Sequence, residues 1–224
     1  MPLLQLLLRV VSGLLAILAM TTAAVPAHAT GSDPLRIVVL GDSLVAGHNL
    51  KQGAGFPEVL QRRLADSGRN VAITNAGVSG DTSEDGLARM GWSIPDDTEL
   101  VIVELGANDM LRGIDPARTK KTLDAIFRRV KERGMGLVIA GMRSIDNYGP
   151  DFRDKFDAIY PALAKQYDAP LFPFFMDGVY NRAELLLPDH LHPSPAGVEV
   201  MVDRFLPFIE PIIDAFPRDK RKAG

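Results

Sequence analysis

Short apolar runs alternate along this chain with segments in which apolar residues recur every three or four positions. The runs are Leu35–Leu40, Val71–Ala76, Leu100–Leu105 and Gly136–Met142, with a shorter one near Leu171. Branched side chains in runs of this length predict buried strands, and the spacing between the runs predicts helices. Strands that alternate with helices predict a mostly parallel sheet with helices on both faces. We therefore expect a single α/β domain.

Residues at the predicted helix ends agree with this alternation. Pro57 suits the first turn of the helix that follows the first strand. Thr82 and Asp85 have the spacing of a capping box, which predicts a helix start near Asp81 or Thr82. Asp115-Pro116 predicts the start of the next helix, and Gly134 predicts its end.

Prolines interrupt the last two predicted helices. The apolar stripe of one helix runs from Phe152 to Tyr167, and Pro161 lies within it. The final helix begins at about Ala196 and contains Pro207 and Pro211. Proline lacks the backbone N–H that a helix needs, so we expect these two residues to bend or break the final helix.

The first 29 residues differ from the rest because they contain no Asp or Glu. Arg9 precedes the apolar run Val10–Met20, and Ala27-His28-Ala29 follows it. This pattern predicts a secretory signal peptide over residues 1–29 and a periplasmic or secreted protein that starts at Thr30. The run is shorter than the ~20 residues of a membrane span, and an uncleaved N-terminal anchor is the alternative. Residues 30–224 then form the single domain.

Charge and cysteine content exclude several classes of function. The formal net charge is −3, and this mild acidity argues against nucleic acid as a partner. The chain has no cysteine, which excludes thiol nucleophiles and thiolate metal sites and leaves core packing to stabilise an exported protein. Arg218–Lys222 is a basic tail that we expect to be solvated and frayed, with weak contact to an anionic envelope surface as the alternative. We expect a monomer.

Ser43 is the first candidate for chemistry. It lies in Leu40-Gly41-Asp42-Ser43-Leu44, on the turn that leaves the first predicted strand. Ligands usually bind at the carboxyl ends of parallel strands, so a serine at this position is either a turn residue or a nucleophile. A serine hydroxyl is a weak nucleophile and needs a neighbouring base.

Three histidines follow residue 29, and one short segment offers a base. Asp189 and His192 lie three positions apart. On one tight turn Asp189 accepts a hydrogen bond from the His192 imidazole, which leaves the other ring nitrogen free to take the serine proton. We interpret His190 as structural and His48 as a partly exposed loop residue.

A metal site is the competing interpretation of the same segment. Asp189, His190 and His192 carry the ligand types that zinc prefers. No other histidine-rich segment is available to complete the coordination shell. We therefore expect no metal and no other cofactor.

Two glycine-containing turns offer donors for an oxyanion. Gly80 follows the second apolar run, where glycine lets the backbone approach a substrate closely. Asn108 follows the third run, and its side-chain amide is a donor. Each turn alone has the ordinary interpretation of a glycine turn with a helix cap. Together with Ser43 and the Asp189/His192 pair, they predict a serine hydrolase site.

These four segments resemble the four sequence blocks of the SGNH hydrolases, also called GDSL esterases and lipases. The resemblance is strongest to the branch of thioesterase I, lysophospholipase L1 and arylesterase. The matching residues are Gly41-Asp42-Ser43-Leu44, Gly80, Gly106-Ala107-Asn108-Asp109, Asp189 and His192. Ala107 is one departure, because the branch often has glycine there. The resemblance implies a three-layer α/β/α sandwich around a mostly parallel, flavodoxin-like sheet.

The resemblance also implies the role of each site residue. Ser43 is the expected nucleophile, His192 the base and Asp189 the residue that orients it. The expected oxyanion donors are the backbone N–H groups of Ser43 and Gly80 and the side chain of Asn108.

The implied reaction is hydrolysis of carboxylic esters through an acyl-Ser43 intermediate. An exported enzyme does not meet cytoplasmic acyl-CoA, so we expect short- to medium-chain acyl or aryl esters or lysophospholipids, with thioesters as additional substrates. Met110, Leu111 and Ile145 are candidates to line an acyl channel, with ordinary loop packing as the alternative. The alternative functions are a carbohydrate O-deacetylase that uses the same triad and a non-catalytic envelope-binding protein.

Overall fold

The computed structural model of the protein describes residues 33–145 and 148–217. These residues belong to one compact unit that begins at Asp33. The predicted signal peptide and the predicted basic tail lie outside the described residues. Among the residues described, no helix is both long enough and apolar enough to cross a membrane.

The centre of the fold is a five-stranded sheet in which every pairing is parallel. Its strands, in chain order, are β1 (Leu35–Gly41), β2 (Val71–Gly77), β3 (Leu100–Val103), β4 (Gly136–Ala140) and β5 (Leu171–Phe172). Their order across the sheet is β2-β1-β3-β4-β5, which is the flavodoxin-like order. The carboxyl ends of the strands therefore meet at one edge, with Gly41 of β1 opposite Gly77 of β2.

Helices cover both faces of this sheet. They are α1 (Ser43–Ala46), α2 (Phe56–Asp66), α3 (Ser83–Ser93), α4 (Ala107–Leu111), α5 (Pro116–Glu132), α6 (Gly149–Asp157), α7 (Ile159–Tyr167) and α8 (Pro195–Asp214), with a 3₁₀ turn at Ala183–Leu185. Helix α2 packs against α8, whereas α3, α6 and α7 each pack against α5. The predicted three-layer α/β/α sandwich is confirmed.

The strands and the helix starts follow the sequence pattern closely. The predicted capping box is present, because Thr82 Oγ1 accepts from the Asp85 N–H and an Asp85 carboxylate oxygen accepts from the Thr82 N–H at 2.9 Å. Strands β3 and β4 each end two residues before the apolar run does. Leu105 and Met142 lie beyond the strand ends and are buried in the following loops, so their apolar character reflects burial and not strand pairing.

The prolines have different effects in the last two helical segments. The first segment divides at Ala158, between α6 and α7, as the presence of Pro161 predicts. Helix α8, by contrast, continues through Pro207 and Pro211, so the prolines do not break it, and the expected bend stays a prediction. Both prolines lie on the exposed side of α8, where water can satisfy the carbonyl groups that they leave free. The opposite side is fully buried, for example at Phe205, and this packing holds the helix together.

The two edges of the sheet differ from its centre. The central strands β1 and β3 have almost no exposed residues, as expected for strands covered on both faces. Strand β2 lies at an edge and most of its residues are only partly buried. The Gln61 side chain of α2 accepts a hydrogen bond from the Ile73 N–H of this strand at 2.6 Å.

Candidate active site

Ser43 is the first residue of α1 and lies directly beyond the end of β1. Asp42 caps this short helix, because its Oδ1 accepts a hydrogen bond from the Leu44 N–H at 3.0 Å. Helix α1 lies against the end of β2, and a Cβ atom on Gly77 would stand only 2.3 Å from the Ala46 nitrogen. The absence of a side chain at Gly77 therefore allows the close approach that places Ser43 at the edge of the sheet.

The structure brings Asp189, His192 and Ser43 into one hydrogen-bonded row. His192 Nε2 lies 2.9 Å from Ser43 Oγ, and His192 Nδ1 lies 2.8 Å from Asp189 Oδ2. The other carboxylate oxygen of Asp189 accepts from the N–H groups of Leu191 and His192, each at 2.9 Å. These bonds fix the ring of His192 so that one nitrogen faces the serine. His190 is exposed, has a positive φ of 57° and takes no part in the row.

The Asp189 carboxylate is stabilised in its charged form. Burial acts to raise its pKa, but hydrogen bonds from the His192 N–H, the Leu191 N–H and the His192 ring outweigh this effect and lower the pKa to about 2. Asp189 is therefore an acceptor throughout the neutral pH range, as the orientation of His192 requires.

The two predicted oxyanion segments lie beside this row. Gly80 has a positive φ of 88°, and its carbonyl accepts a hydrogen bond from Arg112 at 2.7 Å. Asn108 Nδ2 donates to the Asp81 carbonyl at 3.0 Å and to Asp42 Oδ2 at 3.2 Å. Ser43, Gly80 and Asn108 all line one pocket together with His192. Residues that carry donors of the required types thus line the pocket that contains the serine hydroxyl.

This pocket has a volume of about 210 Å³. Apart from the polar row its lining is mainly apolar, and the apolar side chains include Met110, Leu111, Met142, Ile145, Phe174 and Met176. Met110, Leu111 and Ile145, the candidates for an acyl channel from the sequence, are among them, although Met110 and Leu111 belong to α4 and not to a loop. A pocket of this character suits an acyl chain next to a serine nucleophile.

His48 is a pocket residue that the sequence did not reveal. Its ring lies 4.4 Å from the ring of His192, measured between centroids, and its Nδ1 lies 3.3 Å from Ser79 Oγ. The sequence predicted a partly exposed loop residue, and the side chain is indeed half-buried in the turn after α1. No local spacing links His48 to a residue 144 positions later, since the contact arises only when the last loop folds over the sheet edge.

The structure groups a different set of possible metal ligands from the set that the sequence suggested. His48, Asp189 and His192 each offer a ligand atom within 4.8 Å of the others, whereas His190 is not in this group. Both ring nitrogens of His192 already contact partners, Asp189 on one side and Ser43 on the other. That arrangement matches the needs of a serine nucleophile better than those of a zinc ligand, because a ligand nitrogen must point to the metal.

A buried ion pair connects the two sides of the site. The Arg89 guanidinium contacts the Asp81 carboxylate and also donates to the Gly41 carbonyl at 2.9 Å. Arg89 is 6% exposed. It therefore joins the end of β1 to the segment that carries Gly80. The sequence contained no signal for this pairing.

Residues 39–200 match the sequence model of the GDSL-like Lipase/Acylhydrolase family. The chain belongs to this family. It is 36% identical over 179 residues to thioesterase 1/protease 1/lysophospholipase L1 of Escherichia coli (strain K12), a match that covers 80% of this chain and 85% of the relative. It is 38% identical over 161 residues to the arylesterase of Vibrio mimicus, which covers 71% of this chain and 80% of the relative.

Solved structures of the family agree with the fold. The SGNH-hydrolase family esterase AlinE4 superposes with a TM-score of 0.68 at 42% identity, covering 84% of this chain and 98% of that chain. The protein is thus an ester-hydrolysing enzyme of the GDSL family. The alternative of a non-catalytic binding protein is not supported.

Proposed function

We propose that this GDSL hydrolase cleaves carboxylic esters through an acyl-enzyme on Ser43. The observation that carries the proposal is the continuous row of hydrogen bonds from Asp189 through His192 to Ser43, with distances of 2.8 Å and 2.9 Å. In this row His192 acts as the general base, and Asp189 orients it and stabilises its charged form.

In the first half of the reaction, Ser43 Oγ attacks the carbonyl carbon of the ester while His192 Nε2 takes the hydroxyl proton. The carbonyl oxygen becomes an oxyanion, which the N–H groups of Ser43 and Gly80 and the Asn108 amide stabilise. The tetrahedral intermediate then collapses, and His192 gives its proton to the leaving alcohol. The acyl group remains on Ser43.

In the second half of the reaction, the alcohol has left and a water molecule takes its position in the site. His192 takes a proton from this water as it attacks the acyl carbonyl, and the same donors stabilise the second oxyanion. The acid leaves and Ser43 recovers its proton. None of these steps calls on a metal or an organic cofactor.

The pocket lining supports acyl chains of short to medium length as substrates. The apolar side chains lie next to Ser43 and His192, and a volume of about 210 Å³ suits a chain of limited length. The named relatives include a thioesterase/lysophospholipase and an arylesterase. We extend these substrate classes to the present enzyme, with carbohydrate O-deacetylation as the alternative.

We further propose that the enzyme is exported. This proposal depends on the signal-peptide pattern of residues 1–29, in which Arg9 precedes a short apolar run and an A-x-A site. Export places the enzyme among lipid and aryl esters and away from acyl-CoA. N-terminal sequencing of the protein recovered from the producing cells tests this, because cleavage after Ala29 gives Thr30 as the first residue.

A rapid-quench experiment tests the mechanism. The purified protein is mixed with a p-nitrophenyl ester and stopped in acid, and peptide mass spectrometry then locates any acyl adduct. We expect a burst of p-nitrophenol and an adduct on Ser43, with neither signal in Ser43→Ala. Full hydrolysis by a folded Ser43→Ala variant would contradict the proposal.

A further inference from the structure

Two carboxyl groups lie side by side in the interior behind the site. Asp42 immediately precedes Ser43, and Glu104 immediately follows β3; both residues are 0% exposed. The Asp42 N–H donates to Glu104 Oε2 at 3.3 Å. When two neighbouring carboxyl groups are buried away from solvent, it costs much free energy to keep both of them negatively charged. The presence of such a pair here therefore requires an explanation.

Asp42 connects two parts of the proposed machinery. Its Oδ1 accepts from the Leu44 N–H at 3.0 Å, which fixes the first turn of α1 behind Ser43. Its Oδ2 accepts from Asn108 Nδ2 at 3.2 Å. The same carboxylate therefore holds the nucleophile's helix and the side chain that we propose as an oxyanion donor.

Glu104 has one oxygen with no partner. Its Oε2 accepts from the Asp42 N–H, but its Oε1 is buried and has no hydrogen-bond partner among the described residues. An unpartnered carboxylate oxygen would be expensive at this depth. A protonated carboxyl removes the difficulty, because it becomes a donor and a carboxylate acceptor lies next to it.

The electrostatics assign the proton to Glu104. Burial and the charge of Asp42 raise the pKa of Glu104 well above its usual value. Burial also raises the pKa of Asp42, but hydrogen bonds from Leu44, Glu104 and Asn108 and the nearby His192 oppose the effect and leave the pKa at about 6. Burial thus favours the protonated form of Glu104 more strongly than that of Asp42, so Glu104 is the member that holds the proton.

The other charged and titratable groups around the pair are already engaged. The Tyr160 hydroxyl donates to the Leu105 carbonyl at 2.9 Å. Asp109 accepts from the Ser83 N–H and hydroxyl and from the Thr119 hydroxyl. The Arg89 guanidinium reaches the Gly41 carbonyl but forms its ion pair with Asp81. Among the described residues, these groups are thus engaged elsewhere, and His192 is the remaining charged neighbour that acts on Asp42.

We propose that protonated Glu104 donates a hydrogen bond to the Asp42 carboxylate, and that this carboxyl pair positions Asn108 and the first turn of α1 for catalysis. Both members are positioning residues, since neither lines the pocket. The positioning role rests on the proposed function of Ser43 and Asn108, whereas the shared proton does not.

Two substitutions of Glu104 distinguish the proposed positioning role from a contribution to stability alone. Glu104→Gln keeps the shape and an N–H donor toward Asp42, so we expect kcat and KM within about threefold of the parent at pH 8. Glu104→Leu removes the donor, and we expect kcat to fall by about tenfold or more while KM stays within about twofold, because a displaced oxyanion donor costs roughly 10²–10³ in rate. Equal kcat values for folded Gln and Leu variants would overturn the positioning role.

Infrared difference spectroscopy tests the proton directly and needs no activity. The Ser43→Ala protein is compared at pH 8 with the same protein carrying Glu104→Gln. We expect the first to show the carbonyl band of a protonated carboxylic acid and the second to lack it, and absence of the band in both would overturn the shared proton. Glu199→Gln, on an exposed side chain paired with Arg63, is the matched control that leaves the band in place. This readout stands even if Glu104→Leu fails to fold or Ser43 proves not to be the nucleophile.

Discussion

The side-chain amide of Asn108 connects two segments of the site. Its amide nitrogen donates to Asp42 and to the Asp81 carbonyl, which are contributed by two different segments of the chain. These bonds hold the amide at the pocket wall before any substrate arrives. An amide nitrogen has two N–H groups, and both are engaged in these bonds. In the proposed mechanism one of them therefore shares its hydrogen between its protein acceptor and the oxyanion.

Removing this donor is expected to slow the reaction without unfolding the protein. Asn108→Ala should lower kcat for p-nitrophenyl esters by roughly 10²–10³-fold with a smaller change in KM. Asn108→Asp keeps the shape but has no N–H, so it should be at least as slow. Circular dichroism confirms the fold of each variant, and a near-normal rate in either of them would remove Asn108 from the proposed role.

The two partners of Ser43 are expected to differ in their importance. His192→Ala removes the proposed base, whereas Asp189→Ala keeps its ring and removes only the group proposed to orient it. We therefore expect the loss of kcat in Asp189→Ala to be about 10–100-fold smaller than in His192→Ala. Steady-state kinetics on both variants measure the difference, and a larger loss in Asp189→Ala would contradict the assigned roles.

At the scale of elements, the approach of α1 to β2 determines the position of Ser43, the proposed nucleophile. Ser43 begins α1 at the end of β1, and Gly77 at the end of β2 lets the backbone of α1 come close. Glycine is required there for space and not for a positive φ. A methyl group at Gly77 must therefore push α1 away from the sheet edge, because it would meet backbone atoms and not a flexible side chain.

Gly77→Ala is expected to destabilise the protein by about 1–3 kcal/mol, the usual cost of overpacking. It should also reduce esterase activity, since α1 carries Ser43. Gly91 is the matched control, because it lies within α3 and a Cβ there would meet no atom within 4 Å. Gly91→Ala should be neutral or stabilising by up to about 1 kcal/mol. Urea unfolding and ester hydrolysis of both variants test the contrast.

Elements and their ends could be predicted from the sequence because they depend on neighbouring residues. The capping box of Thr82 and Asp85 is an example, since the signal lies three positions apart. Side-chain contacts across the site could not be predicted from the sequence. His48 meets His192, and Asp42 meets Glu104, only after separate loops converge at the sheet edge. His192 was identified because histidine is scarce in this chain, and Ser43 because it follows the first predicted strand. The buried Glu104 and Arg89, in contrast, look like ordinary charged residues in the sequence.

At the scale of the whole molecule, buried carboxyl groups affect how stability depends on pH. The raised pKa of Glu104 means that the folded protein holds a proton that the unfolded chain releases above about pH 4.5. This group therefore lowers the free energy of unfolding as the pH rises. Asp189 acts in the opposite sense, because its pKa of about 2 gives stability that is lost as the pH falls from about 4 toward 2.

Glu104→Gln has no proton to release, so its stability relative to the parent should increase between pH 4 and pH 8. Denaturant titrations of the parent and the variant at both pH values measure this difference. If the free energy of unfolding of the variant minus that of the parent stays constant or falls between pH 4 and pH 8, the result would contradict the raised pKa of Glu104.

The pocket predicts how rate depends on acyl length. Each methylene that the apolar lining buries contributes about 0.8 kcal/mol, or roughly fourfold in kcat/KM, until the pocket is full. We expect kcat/KM for p-nitrophenyl esters to rise from acetate to a medium chain and then to stop rising. A maximum at acetate, with activity on acetylated sugars, would favour the deacetylase alternative. The same series made with thioesters and lysophospholipids ranks the remaining substrate classes.

The hydrogen bond between Gln61 and the Ile73 N–H has a consequence for self-association. An edge strand presents unpaired N–H groups on which another chain can add a strand, and β2 occupies such an edge. Gln61 occupies one of these groups with a side chain from α2. A second polypeptide must therefore break a bond of 2.6 Å before it can extend the sheet, and the enzyme gains some protection against aggregation through that edge.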